Sequence, residues 1–182
     1  MSRKLFSQAI PPFDRVLMVE SGPRYLVEDM LSGLYDLYPQ MRFDLLTCYA
    51  GLPKTFREDR GDVFRVTDYP GGAGRSQLYR QLKPRQHTVL GIVCAGEPIM
   101  TKWKWAVVAQ IPAKLFILNE NGDYFWVDYS NWKTIRHFVL FRAGLAGSGA
   151  VRTLARVFLF PFTLAYLLLY AGTVHLRRRL RT

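Results

Sequence analysis

Polar residues able to do chemistry occur in this chain at three turns, each directly after an apolar run. The first reads Glu20-Ser21-Gly22-Pro23-Arg24. A helix starting there would offer free backbone N–H groups to an anion, and Arg24 could add a bidentate contact to a phosphate. The same residues also suit an ordinary strand-to-helix turn with a surface arginine. The second, Ala95-Gly96-Glu97-Pro98, presents a carboxylate able to bond a sugar hydroxyl or to accept its proton as a general base. It equally suits a helix N-terminus, where an acid beside a proline is favourable. The third, Asn119-Glu120-Asn121-Gly122-Asp123, precedes Tyr124-Phe125-Trp126. Amides and carboxylates bond hydroxyls and rings stack on sugar faces, so this stretch suits carbohydrate, although Asn-Gly is also a strong hairpin signal.

Other chemistry finds no support. Cys48, Cys94, His87, His137 and His175 show no metal-ligand spacing, and no Ser-His-Asp arrangement stands out. The two cysteines lie in apolar runs and read as buried thiols in a reducing compartment. Gly71-Gly72-Ala73-Gly74-Arg75 lacks the Lys-Ser/Thr of a phosphate-binding loop and reads as a flexible loop. No metal and no cofactor is expected.

These turns need elements to hold them. Apolar, β-branched runs predict strands over 14–19, 43–49, 63–66, 87–94 and 114–118, with a short continuation at 124–127. Between them, helices are predicted with Leu26, Met30, Leu34 and Leu37 on one face, around 76–82, over 99–110 and near 131–145. Alternating strands and helices imply a Rossmann-like α/β domain with a mostly parallel sheet of about five strands and flanking helices. In such sheets ligands bind beyond the carboxyl ends of the strands, where the three polar turns fall.

The charge is unevenly placed. The chain carries a net +11; residues 150–182 contribute six arginines and no acid. Residues 157–176 form an apolar run without Asp, Glu, Lys or Arg, bracketed by Arg152 and Arg156 before and Arg177, Arg178, Arg179 and Arg181 after. Twenty residues reach about 30 Å as helix, the thickness of a bilayer core, and anionic lipids attract such flanks. A C-terminal hydrophobic membrane helix is therefore expected. A single crossing would put the distal arginines outside, against the positive-inside tendency, so a tilted or re-entrant segment with Pro161 near its start is expected. Nucleic acid, the other partner of basic chains, would need a basic face with stacking aromatics or a known module, and neither is present. The start of the chain, MSRKLFSQAIPPF, has no sustained apolar core, so the main domain is expected to face the cytoplasm. The organisation expected is an N-terminal extension (1–12), the α/β domain (13–145), a linker (146–156), the membrane segment (157–176) and a basic tail (177–182).

The order RVLMVE (15–20), a helix to Leu37, YPQMRFDLLT (38–47), then VLGIVCAGEP, a helix and IPAKLFILNENGDYFW resembles the N-terminal half of bacterial GT-B glycosyltransferases, lipopolysaccharide heptosyltransferases above all. The resemblance covers about residues 13–142. It implies a metal-independent sugar transfer from a nucleotide donor to a glycan or lipid-linked acceptor in envelope assembly. The catalytic base would be Glu97 or Glu28, and Glu20, Ser21, Gly22, Arg24, Asn119, Glu120, Asn121 and Asp123 would hold substrate. Two departures matter: the family's Gly-Asp pair after the first strand is absent, and the chain reaches its apolar run where the donor-binding domain would begin. A partner chain or a second copy would have to supply that domain; the alternative is a non-catalytic, membrane-tethered scaffold.

Overall fold

The computed structural model describes residues 9–97, 99–142 and 150–179. Most of the expected N-terminal extension, the first residues of the linker and the end of the basic tail lie outside the described residues. The chain divides into two compact units between Trp132 and Lys133.

The first unit is an α/β domain. Its strands are β1 (Arg15–Val19), β2 (Arg42–Thr47), β3 (Val63–Arg65), β4 (Val89–Cys94), β5 (Lys114–Asn119) and β6 (Tyr124–Trp126). They form one sheet in the order β3-β2-β1-β4-β5-β6, parallel throughout except for β6, which runs antiparallel to β5. The sheet thus has six strands where about five were expected; the extra one is the short return after Asn121-Gly122, with Gly122 at φ +82°. Every residue of VLGIVC in β4 is buried. A strand covered on both faces has no reason to alternate apolar and polar residues, which is why this run stood out in the sequence.

Helix α1 (Arg24–Leu37) joins β1 to β2, α2 (Gly71–Leu82) joins β3 to β4, and α3 (Thr101–Gln110) joins β4 to β5. Right-handed crossovers put α1 on one face and α2 and α3 on the other. Accordingly, Leu26, Val27, Leu31 and Tyr35 of α1 pack with Val16, Met18, Phe43, Leu45 and Phe116 of the sheet in one core. The buried stripe of α1 is shifted from the expected one: Met30 and Leu34 are only partly buried and Leu37 is exposed. Leu37 falls in the last turn, where the Tyr38 N–H closes the helix on the Leu34 carbonyl. The glycines at 71–74 are not a flexible loop but the first turn of α2. A Cβ at Gly74 would overlap the Tyr69 backbone, so the helix can start this close to the preceding turn only with glycine there.

In the second unit, α4 (Trp132–Arg142) is followed by α5 (Ala150–Arg179), which contains Pro161. The membrane-spanning helix expected over 157–176 is not supported: among the described residues no helix is long and apolar enough to cross a membrane.

The amino-terminal edge of the sheet is tied by charge. Asp44 of β2 is fully buried and accepts bonds from Arg15 Nε (2.8 Å), from His87 Nε2 (2.8 Å) and from the Asp62 N–H (3.0 Å). Arg85 stands 3.5 Å from the same carboxylate and also pairs with Asp62. Burial alone would raise the Asp44 pKa, but the bonds from His87, Arg15 and the Asp62 amide outweigh it and hold the carboxyl well below its usual range.

Because the native value is depressed, Asp44 contributes stability above its unfolded pKa of about 3.9, and that contribution is lost as pH falls toward the native value. Asp44→Asn is expected to cost about 3 kcal/mol near neutrality, as removal of one member of a buried ionic cluster does. Denaturant titrations should show the gap between wild type and variant closing between about pH 5 and about pH 2.

Candidate functional site at the carboxyl edge of the sheet

The strand order changes direction between β1 and β4: the chain leaves β1 toward β2 and leaves β4 toward β5. Beyond the carboxyl ends of strands at such a switch point is the place where open α/β sheets bind ligands. The loops after β1, β2, β4 and β5 emerge along this edge.

Glu20, the first residue after β1, has no solvent exposure. Its backbone N–H continues the ladder to the Leu46 carbonyl (2.8 Å), which fixes the side chain between β1 and β2. There Arg24 Nε donates to Oε1 at 2.8 Å and the Thr47 hydroxyl donates to Oε2. Arg24 continues outward. Its Nη2 donates to the Gly51 carbonyl at 2.7 Å, and its guanidinium lies 4.9 Å from the centre of the Tyr49 ring. The Tyr49 hydroxyl returns to the Gly22 carbonyl at 3.2 Å and its amide donates to Thr47 Oγ1 at 3.0 Å. The bond to Glu20 raises the Arg24 pKa against a smaller opposing effect of burial, so the guanidinium is permanently charged.

Ser21 is buried and spent on architecture: its hydroxyl donates to the Val93 carbonyl of β4 at 2.8 Å. Gly22 is required by closeness, since a Cβ there would overlap Val93 Cγ1. The turn after β1 therefore lies directly on the end of β4. The Val93 carbonyl accepts a second bond, from Lys104 Nζ of α3 at 3.1 Å, and Lys104 is itself buried.

Glu97 is exposed in the turn after β4. Burial pushes the Tyr49 phenol's pKa up, and Cys48, Glu20 and Glu97 add to that shift. Burial pushes the Cys48 thiol up as well, which keeps it protonated and makes it a poor nucleophile. Between Glu97 and α3, Met100 adopts φ +50°, a left-handed conformation that a side chain rarely takes. The loops after β4 and β5 are adjacent: a Cβ built on Gly96 would lie 3.7 Å from Glu120 Oε2.

Not every expected residue joins this group. Glu28 is turned to the loop after β2, where Oε1 accepts the Lys54 N–H at 2.8 Å and the Glu28 carbonyl accepts the Thr55 hydroxyl at 3.2 Å. Asn119 and Asp123 are occupied with each other. Asn119 Oδ1 accepts the N–H groups of Asn121 and Asp123 at 2.9 Å each, Asn119 Nδ2 stands 3.4 Å from Asp123 Oδ2, and the Asn119 N–H bonds the Asp123 carbonyl. Gly122 and Asn121 form the tip of that turn. Among the described residues no group of three or more His, Cys, Asp or Glu side chains could hold a metal ion.

The sequence reading missed Thr47, Tyr49 and Lys104. Lys104 was detectable in principle, because it shares a helical face with Val107 and Ile111, both buried. Thr47 and Tyr49 carry no local signal; they matter only because β2 lies beside β1.

Arg24→Met leaves the buried Glu20 carboxylate without its cation and is expected to cost about 3 kcal/mol. Adding Glu20→Gln should restore at least half of that loss, since the amide keeps Thr47 as a partner without a charge to neutralise; equilibrium unfolding of the two variants checks both values. Comparison of the chain with known protein families, curated proteins and solved structures finds no match.

Proposed function

We propose that the carboxyl edge of the sheet binds a nucleotide-sugar or a related phosphorylated sugar, and that the chain is a GT-B-like half-transferase in envelope glycan or glycolipid assembly. The observation that carries this reading is the reversal of strand order between β1 and β4, which brings the Glu20–Arg24–Thr47–Tyr49 cluster, Lys104, Glu97 and Glu120 to one edge. In this reading Glu97, exposed in the turn after β4, is the base that accepts the proton of the attacking hydroxyl. The N-terminus of α1 faces the phosphate above the Arg24–Glu20 floor, and Glu120 bonds sugar hydroxyls. Glu28, Asn119, Asn121 and Asp123 shape the loops rather than touch the sugar. A partner chain or a second copy supplies the donor-binding domain, and no metal takes part.

The second unit would hold the domain at a lipid surface. The side chains of Phe158, Leu159, Phe160, Phe162, Tyr166, Leu167, Leu168, Leu169 and Tyr170 are exposed on successive turns of α5. A helix apolar on all sides is suited to hydrocarbon rather than to water. With arginines at both ends, α5 would lie in the headgroup region of anionic lipid with both basic ends on one side. The inner face of a bacterial cytoplasmic membrane is the compartment this implies.

One observation favours the non-catalytic scaffold instead. Glu20, Arg24, Glu28 and Asn119 are all satisfied by protein partners, which leaves them little capacity for a ligand.

Calorimetry of the full chain in detergent against a panel of nucleotide-sugars separates the two. The transferase reading predicts saturable binding of at least one donor, weakened by about tenfold, the worth of one charge-assisted hydrogen bond, in Glu97→Ala or Glu120→Ala. No binding of any donor selects the scaffold. Flotation with anionic vesicles tests the lipid contact: Phe160→Glu/Leu167→Glu should leave the protein in the unbound fraction, and recovery of that variant with the vesicles would contradict it.

A further inference from the structure

On the face of the sheet that carries α1, an open groove of about 490 Å³ runs between that helix and the β5–β6 hairpin. Its upper end is at the carboxyl edge, lined by Leu26 of the first turn of α1 and by Gly122 and Tyr124 of the hairpin. Tyr124 is paired with Leu118, near the carboxyl end of β5. The lower end is lined by Phe13, two residues before β1, and by Tyr38, where α1 closes. From Leu26 to Leu37 the helix runs about 16 Å beside it.

The side chains of this wall are open. Leu37 is 74% exposed and Tyr124 63%, while Phe13, Met30, Leu34 and Trp126 are partly buried. Asp29 is the one charged residue among those described in the lining, and it stands in the half of α1 nearer the carboxyl edge. Small-ligand sites have volumes of about 300–1,000 Å³ and walls of this apolar and aromatic kind.

Gly33 is a second, independent sign of an occupant. It lies inside α1, where glycine is a poor helix former. Among the described residues no atom comes within 4 Å of a Cβ built there, so packing within the domain does not call for a glycine. Gly33 lines the groove, and its bare backbone lets a ligand lie close against the helix.

The kind of occupant follows from what the groove joins. Gly122 belongs to the same turn as Glu120, so the upper end of the groove continues into the polar rim of the carboxyl-edge site. A polar rim that runs on into a long apolar groove suits an amphiphile. From the open wall, this continuity and the bare helix at Gly33 we infer that the groove holds the hydrocarbon chain of an amphiphilic ligand whose polar head sits at the carboxyl edge. Resting on the transferase reading above, that ligand is the lipid-linked acceptor. Its sugar head stands beside Glu97 and Glu120, and its tail packs on Met30, Leu34 and Trp126 and ends toward Phe13 and Tyr38.

Two photoprobes test the site: decyl glucosides that carry a diazirine either beside the sugar or at the end of the chain. The full chain is irradiated in nanodiscs of anionic lipid, and labelled lipid in the same disc reports how much probe is present. Peptide mapping is expected to place the first label within 121–124 and the second at Phe13 or Tyr38. Both labels should saturate and yield to unlabelled decyl glucoside. Gly33→Leu fills the groove while improving the helix, so it should keep the fold and cut both labels about tenfold. Gly33→Ala adds a single methyl and should retain them. Absence of saturable labelling in the groove overturns the inference, as do labels in the reverse order or labels that survive Gly33→Leu at full strength. Donor calorimetry on the same sample separates the two readings. Groove labelling without donor binding supports the amphiphile site and removes the transferase; donor binding without groove labelling overturns the inference alone.

Discussion

A carboxylate removed from water has to be neutralised from within the protein, and two such carboxylates organise this sheet from its ends. Glu20 closes the carboxyl end of β1 and Asp44 sits toward the amino end of β2, both without solvent exposure. Each recruits its partners from neighbouring segments. Glu20 takes Arg24 from the first turn of α1 and a hydroxyl from β2; Asp44 takes Arg15 from β1 and His87 from the approach to β4. The apolar core alone would tolerate a strand sliding along its neighbour. The two charge clusters do not, because a shift would leave a buried charge without its partner. The register Leu17↔Asp44 and Val19↔Leu46 is fixed in this way at both ends.

The same constraint shapes the candidate site. With Arg24 committed to Glu20, Gly51 and the Tyr49 ring, the cluster forms a rigid floor, and in the proposed reading the ligand contacts fall to residues at its rim. Gly22 allows that floor to press on β4, and Ser21 and Lys104 meet on one carbonyl there. The rim is formed by the turns after β4 and β5, where Glu97 and Glu120 stand. Preorganisation of this kind lowers the ordering cost of binding, provided that the rim rather than the floor makes the contacts.

Much of the architecture was legible because parallel strands buried on both faces leave continuous apolar runs, as in RVLMV, VLGIVC and KLFILN. The crossover helices followed from their periodicity, and the locations of the three polar turns followed from the strand ends. Pattern reading failed where the cause is a contact distant in sequence. The glycines at 71–74 look like a loop until the closeness of Tyr69 to Gly74 explains them as a helix start. Thr47 acquires its role only from lying beside Glu20, and Lys104 from a buried helical face. The Asp44–His87 pair joins residues 43 positions apart in the chain, a separation over which no local pattern operates. The apolar run after residue 156 was read from its length, its lack of charge and its arginine flanks, which say how far a helix can reach but not whether it crosses a bilayer.

The central claim is that ligand enters at the carboxyl ends of β1 and β4. Methyl-labelled Thr47 and Met100 report on that edge and Thr88 on the opposite one, so a titration of nucleotide-sugars followed by methyl NMR tests the claim directly. The account predicts that a bound donor shifts the Thr47 and Met100 signals and leaves Thr88 in place. Saturable binding that moves Thr88 while Thr47 and Met100 stay fixed would contradict it.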